Sequence, residues 1–302
     1  MYLILGEDRD SCAHAVRAAL QRRGRAVLTT VNPFDSAGTL RWAFDSRSSR
    51  LVHAFDGRSS GREGALEGVL VRNYSALLDP SGWTVEDAAY LHNEGMAAVL
   101  AWLHALECPV VGRPTDDAWY RPQRPLPEWV GLLASCGLPT PSVIVTNAPE
   151  AERLVAAWPG PVVYQPLTSA RTYEIDGGAW SELAKVMAHV PVCLTEQLNG
   201  PRGAVTVIGD RLFWTHPPER ERSRLELAVR RVADRLDSDF VQVLLQVTVD
   251  GPRFTTVNLQ PTLEVHEPTD RDAVVDEISR RLLGSDATSV APSQSRGGEL
   301  HP

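Results

Sequence analysis

Of the 30 lysines and arginines in the chain only Lys185 is a lysine, so 29 are arginine. That count limits the chemistry open to the protein. Sites that move phosphoryl groups hold the anion with lysine ammonium groups as compact charges, together with a metal ion on carboxylate oxygens. Any mechanism that needs two lysines is excluded. The phosphate-cradling loop that ends in Gly-Lys before Ser or Thr is also absent, because Lys185 follows Ala184. Gly57, Gly61 and Gly64 are wrongly spaced for a dinucleotide loop and open no clear helix. None of the eight histidines stands in a His-Glu-x-x-His motif or beside a cysteine pair, and no Gly-x-Ser-x-Gly elbow is present. Cys12, Cys108, Cys136 and Cys193 form no C-x-x-C pair and read as reduced, buried thiols.

Bulk properties narrow the classes further. A net charge of -8 argues against nucleic acid, whose phosphates require a basic face. The first residues, Met1 to Asp8, carry no basic region and only a short apolar run, so no signal peptide is expected. No apolar stretch reaches the roughly 18 residues that would span a bilayer. The expected location is the cytoplasm, with no membrane partner.

The elements that would position any site follow from periodicity. Tyr2–Leu5 reads as a strand, Ser11 as the cap of a helix that ends at Gly24, and 26–30 as a second strand, a β-α-β opening that favours a parallel pair. Residues 40–44 and 51–55 alternate as a hairpin, and Gly68–Val71 is a further buried strand before Arg72. Thr84 and Asp87 form a capping box for a helix running to about Leu106. Residues 109–114 read as a strand. The polar segment 115–127, with Pro122, Pro125 and Pro127, reads as a domain boundary. Trp119, Tyr120 and Trp129 flank it and are expected to pack the lobes together. Short strands and helices then alternate to a hairpin at 205–214, with Gly209-Asp210 as its two-residue turn. A helix over 219–236 with a solvated arginine face, two long strands (240–249 and 253–258) and a helix over 270–283 complete the order. The expected class is α/β plus α+β: an α/β domain over 1–115, two mixed α+β lobes over 116–190 and 191–284, and a disordered tail over 285–302.

That order, with the motifs it carries, resembles the ATP-grasp superfamily. Gly137-Leu-Pro-Thr-Pro141 is similar to its Gly-Leu-x-x-Pro entry, and Val162-Val-Tyr-Gln165-Pro-Leu167 to its Val-Val-Lys-Pro-Leu strand. Pro191–Gly200, which holds Glu196, is similar to its hinge, Val205–Phe213 to its hairpin, and Arg253–Pro261 to its metal strand. Val71-Arg72, Glu94 and 108–111 resemble the preceding half of ribosomal-peptide maturases. Such ligases phosphorylate a carboxylate with ATP and let an amine attack the acyl phosphate.

The resemblance also implies which residues should do this, and most are replaced. The strand lysine is Gln165, and an earlier lysine falls near Leu126 with only Arg124 close by. The metal carboxylates align with Gln246 and Thr256, and a hairpin arginine with Ala204. Glu196 and Asn258 are retained, while Leu167–Arg171, where a glycine-rich lid is expected, holds no glycine. No catalytic or metal-ligating residue is assigned. Neutral amides and hydroxyls are weak ligands for magnesium, and each 1.36 kcal/mol of lost stabilisation slows a step about tenfold. The expected function is therefore a non-catalytic partner or scaffold in a peptide-modification or small-metabolite pathway, holding a peptide between its lobes. It would need no cofactor, and the sequence leaves a homodimer open. The alternative is an ATP- and magnesium-dependent carboxylate–amine ligase with a rebuilt site. There Asp250, Glu264 and Glu267 would offer metal oxygens, and Arg171 or Arg202 would clamp phosphate. Arg72 and Glu94 complete the candidate cleft contacts.

Overall fold

The computed structural model describes residues 1–7, 9–31, 66–72, 82–169, 171–176, 178–218 and 220–284. The expected hairpin over 40–55, the glycines at 57, 61 and 64, positions 73 and 74, and the tail over 285–302 lie outside the described residues.

The first domain is built around two apolar strands, Tyr2–Leu5 and Gly68–Val71, that are buried along their whole length. Strand β1 (Tyr2–Leu5) leads into helix α1 (Ser11–Arg22), then β2 (Val27–Thr30) and β3 (Gly68–Val71). Helix α2 (Val85–Ala105) follows, then the two-residue strand β4 (Val110–Val111), shorter than the strand expected over 109–114. The four strands pair in parallel in the order β2-β1-β3-β4. The cap of α1 is Asp10 and not Ser11: its carboxylate accepts from Ala13 N at 2.9 Å, while the Ser11 hydroxyl is turned to Glu264 Oε1 at 2.5 Å. Thr84 caps α2 as expected, accepting from Asp87 N at 3.1 Å.

The proline-rich segment 115–127 is partly helical. It contains helix α3 (Asp116–Tyr120), and helix α4 (Leu126–Ser135) starts within it. The prolines sit where a helix can start, Pro125 at the cap and Pro127 inside the first turn. Trp119 is buried, with its indole N–H donating to Met96 O at 3.0 Å. Trp119 and Trp129 lie in the largest core, which runs from β1 and α2 into the last sheet.

The middle lobe holds β5 (Val143–Thr146), α5 (Ala151–Val155), β6 (Val162–Tyr164), β7 (Tyr173–Glu174), α6 (Ala179–Met187) and β8 (Val192–Glu196). Its sheet is antiparallel in the order β5-β8-β6-β7, with α5 and α6 packed on one face. Because β8 pairs with both β5 and β6, the chain stays in this sheet as far as Glu196.

The last lobe holds β9 (Arg202–Ile208), β10 (Arg211–Trp214), α7 (Arg222–Arg235), β11 (Phe240–Thr248), β12 (Gly251–Asn258) and α8 (Pro268–Leu282). The antiparallel order is β10-β9-β11-β12. One face buries Val205, Val207, Val243, Leu245, Phe254 and Val257 against α7 and α4. The opposite face is covered at the Ile208–Phe240 end, where α8 joins it to α1 and β1. No helix among the described residues is long and apolar enough to cross a membrane.

Candidate functional site

The uncovered end of that second face is where the sequence candidates converge. In the β9-β11-β12 register Thr206 pairs with Gln242 and Gln242 with Asn258; Ala204 pairs with Leu244 and Leu244 with Thr256; Arg202 pairs with Gln246 and Gln246 with Arg253. These three rows share one face, because side chains alternate along each strand. A β-bulge interrupts β12 between its pairings with Leu244 and Leu245, so Thr255 opposes no residue of its own. The extra residue is what lets Arg253 and Thr256, three apart, point the same way. It likewise puts Phe254 and Val257 together in the core on the other side. Strict alternation misses this; the signal in the sequence is the three-residue spacing of those two core positions.

Four polar side chains on the face, Gln246, Asn258, Gln242 and Thr206, are tied to protein. Gln246 Nε2 donates to Leu198 O and to Gly200 O, both at 2.9 Å, so its amide holds the segment that joins the two lobes. Asn258 Oδ1 accepts from Gln260 N at 2.9 Å in a local turn. Gln242 donates to Thr206 Oγ1 at 2.9 Å and to Thr262 O at 3.0 Å, and Thr206 Oγ1 lies 2.7 Å from His266 Nε2. Burial holds the His266 imidazole below the usual histidine range. This buried trio carries no signal in a single sequence beyond being polar.

The middle sheet offers a face with a single charged residue. Val143 pairs with Thr195 and Thr195 with Val163; Val145 pairs with Cys193, whose carbonyl accepts from Gln165 N at 3.0 Å. The Gln165 amide donates to Ser169 O at 3.3 Å, within its own loop. Burial pushes the Cys193 thiol up to about 11, so it stays protonated. The one charge in these rows is Glu174, which pairs with Val163 and accepts from Gln197 Nε2 at 3.4 Å.

Other candidates lie elsewhere. Glu196 Oε2 accepts from Ser142 N at 3.1 Å and fastens the end of β8 to β5. Arg72 is buried behind the first sheet, paired with Asp10 at 3.0 Å and stacked 5.7 Å from the Phe240 ring centre. Glu94 is exposed on α2, and Arg171 is exposed, its main-chain N–H bonded to Ser169 Oγ at 3.1 Å. Asp250 is exposed in the β11–β12 turn, Glu264 is engaged by Ser11, and Glu267 precedes α8. Among the described residues no three His, Cys, Asp or Glu side chains gather as a metal group.

No known family's sequence profile matches the chain, and no curated protein sequence does. Solved structures do match. The macrocyclase MdnC bound with precursor peptide MdnA, from Microcystis aeruginosa MRC, aligns with a TM-score of 0.72 at 14% identity, over 93% of this chain and 98% of that one. The ATP-grasp ligase PsnB, complexed with a phosphomimetic variant of a minimal precursor, Mg and ADP, aligns with a TM-score of 0.70 at 19% identity, over 93% and 98%. The fold is ATP-grasp. A Chryseobacterium gregarium RiPP-associated ATP-grasp ligase, in complex with ADP and a leader and core peptide, gives a TM-score of 0.70 at 15% identity, over 93% and 96%.

On this ATP-grasp scaffold the residues present do not fit magnesium. The three rows of the last sheet carry amides, hydroxyls, apolar groups and two arginines, and no carboxylate. Magnesium needs oxygen anions in near-octahedral array. The Gln246 nitrogen directs its two protons to main-chain oxygens, and its amide brings no negative charge. Gln165 and Thr195 of the middle sheet bring no cation for a triphosphate.

Proposed function

We propose that this ATP-grasp protein is non-catalytic and serves a peptide-modification pathway as a binding partner, holding a peptide between its middle and last lobes. The reading places it in the cytoplasm, where its four free cysteines would stay reduced. The observation that carries it is Gln246. At a position where the resemblance expects a metal carboxylate, an amide donates to Leu198 O and Gly200 O, so the group serves the inter-lobe segment. The solved relatives bound with precursor, leader or core peptides support a peptide as the ligand class.

Calorimetric titration with a non-hydrolysable ATP analogue, with and without magnesium, tests the reading. No magnesium-dependent binding is expected at millimolar nucleotide. Micromolar, magnesium-dependent binding would overturn it and favour the ligase alternative.

A further inference from the structure

The β9–β10 turn and the loop from α7 to β11 face the end of α2 and the segment after β4, and a cavity of about 580 Å³ lies between them. Small molecules bind in cavities of about 300–1,000 Å³. This one sits at the Phe240 end of β11, roughly 20 Å along the strand from Gln246, so it is separate from the face described above. Its walls carry opposite charges that the protein leaves apart. The first domain supplies the half-buried Arg113, whose Nη1 and Nη2 make only long contacts, with His104 O at 3.4 Å and Leu106 O at 3.3 Å. Helix α7 adds the half-buried Arg230, which donates to the carbonyl of Asp210. The last lobe also supplies Asp234, Asp237 and Asp239. Among the described residues none of these five forms an ion pair. Asp239 Oδ1 accepts from Gly112 N at 3.0 Å, yet burial still pushes its carboxyl above the usual range. Asp234 and Asp237 stand at the carbonyl end of α7, where the helix dipole favours cations and opposes acids. Stability of the helix therefore does not explain them. A half-buried charge without a partner is costly, and a molecule carrying the complementary charges would satisfy both walls at once.

We propose that this cavity binds a small basic zwitterion, an amino acid or dipeptide with one carboxylate and two cationic groups. The charges set the class. Three carboxylates against two guanidinium groups leave one negative charge, so the matching ligand carries one positive charge overall. Asp210, also on the rim, is already paired with Arg281 at 3.0 Å and does not enter the balance. The ligand's carboxylate goes to Arg113 or Arg230, which hold it through two parallel hydrogen bonds. Its cationic groups go to the three aspartates, and a cation beside Asp239 relieves the penalty of its burial. Arg113 belongs to the first domain and the aspartates to the last lobe, so the bound molecule bridges the two. The site does not depend on the peptide-binding reading above.

The test is calorimetric titration of the full chain with free arginine and with the dipeptide glycyl-arginine. Binding is expected, and the tighter of the two identifies the source as a free amino acid or a peptide end. Citrulline keeps the shape of arginine without the guanidinium charge, and agmatine lacks the carboxylate. Each should bind at least about tenfold more weakly, because one wall then keeps an unmatched charge. Asp239→Asn retains an acceptor for Gly112 N, and asparagine suits the positive φ of the exposed Asp237, +46°. Asp239→Asn and Asp237→Asn should therefore melt at the wild-type temperature and bind free arginine several-fold more weakly. Arg113→Gln should weaken binding of arginine and leave that of agmatine unchanged, a split that general loss of fold does not produce. Binding of neither arginine nor glycyl-arginine at millimolar concentration would overturn the assignment. So would agmatine or citrulline binding as tightly as arginine, or aspartate variants that bind as wild type. Nucleotide binding, present or absent, bears on the proposed function alone.

Discussion

Gln246 and Gly200 are joined side chain to main chain: the Gln246 amide nitrogen donates to Gly200 O at 2.9 Å while also reaching Leu198 O at the same distance. A strand of the last lobe thereby holds the segment that leads out of the middle lobe. An ionised carboxylate has no proton to give, so glutamine can do this where aspartate or glutamate cannot. Gln246→Glu, nearly the same shape, should therefore set a carboxylate against two carbonyl oxygens. A loss of about 1–3 kcal/mol in urea unfolding is expected, with faster hydrogen exchange at the amides of Asn199, Gly200, Arg202 and Gly203. Unchanged exchange there would mean that the amide does not restrain the segment.

Gly200 itself tolerates no side chain. Its φ is +140°, and a Cβ added there would lie 1.9 Å from Val247 O. The strain of that backbone region for an L-residue adds to the clash. Gly200→Ala should cost about 2–4 kcal/mol and lower the melting temperature accordingly. By contrast Gly131, in mid-α4, has open space at its Cβ. Gly131→Ala should be neutral or stabilising by up to about 1 kcal/mol. Similar effects of the two substitutions would contradict the geometry.

The contrast between these lobes shows what a single sequence can carry. The parallel opening was legible because Tyr2–Leu5 and Gly68–Val71 are apolar throughout, as strands buried on both faces must be. The hairpin over 205–214 was legible from Gly209-Asp210, since the turn needs positive φ and Gly209 adopts +55°. The rows through Gln246, Thr256 and Asn258 could be anticipated only through family likeness. Arg253 escaped, because the bulge at Thr255 moves it to the opposite face from the one that alternation assigns. The helices within the proline-rich segment were not legible: proline starts a helix as readily as it marks a break, and the burial of Trp119 and Trp129 shows only in three dimensions.

Asp10 does two things at once: one carboxylate oxygen caps α1 at Ala13 N, and the other pairs with the buried Arg72. Asparagine can cap a helix but cannot balance a guanidinium charge. Asp10→Asn should thus isolate the ion pair and Asp10→Ala should remove both. The alanine variant is expected to lose about 3 kcal/mol or more, because taking one partner from a buried pair strands the other charge. The asparagine variant should lose less by about 1 kcal/mol, the usual worth of a cap. Denaturant midpoints of the two variants measure the difference, and equal losses would show that the cap contributes nothing.

His266 gives the fold a pH dependence whose sign can be stated. Thr206 Oγ1 accepts from Gln242 Nε2 at 2.9 Å, which leaves the hydroxyl proton for His266 Nε2 at 2.7 Å. The imidazole is thereby held neutral, accepting through Nε2, and burial lowers its pKa from the ordinary 6.5. Nearby Asp270 works against this shift and Arg271 with it, and burial outweighs both. In the unfolded chain the same group takes up its proton near pH 6.5. Below that pH the unfolded state therefore binds more protons than the folded one, so stability rises with pH across the window. The contribution is complete above about pH 6.5 and is lost as pH falls towards the lowered folded value, at no more than about 1.36 kcal/mol per pH unit. Unfolding free energies at pH 7.5 and 5.5 should differ in that direction for the wild type. His266→Phe should flatten the difference while lowering stability at both, since Thr206 then loses its acceptor inside the core. A slope that survives the substitution would place the titrating group elsewhere.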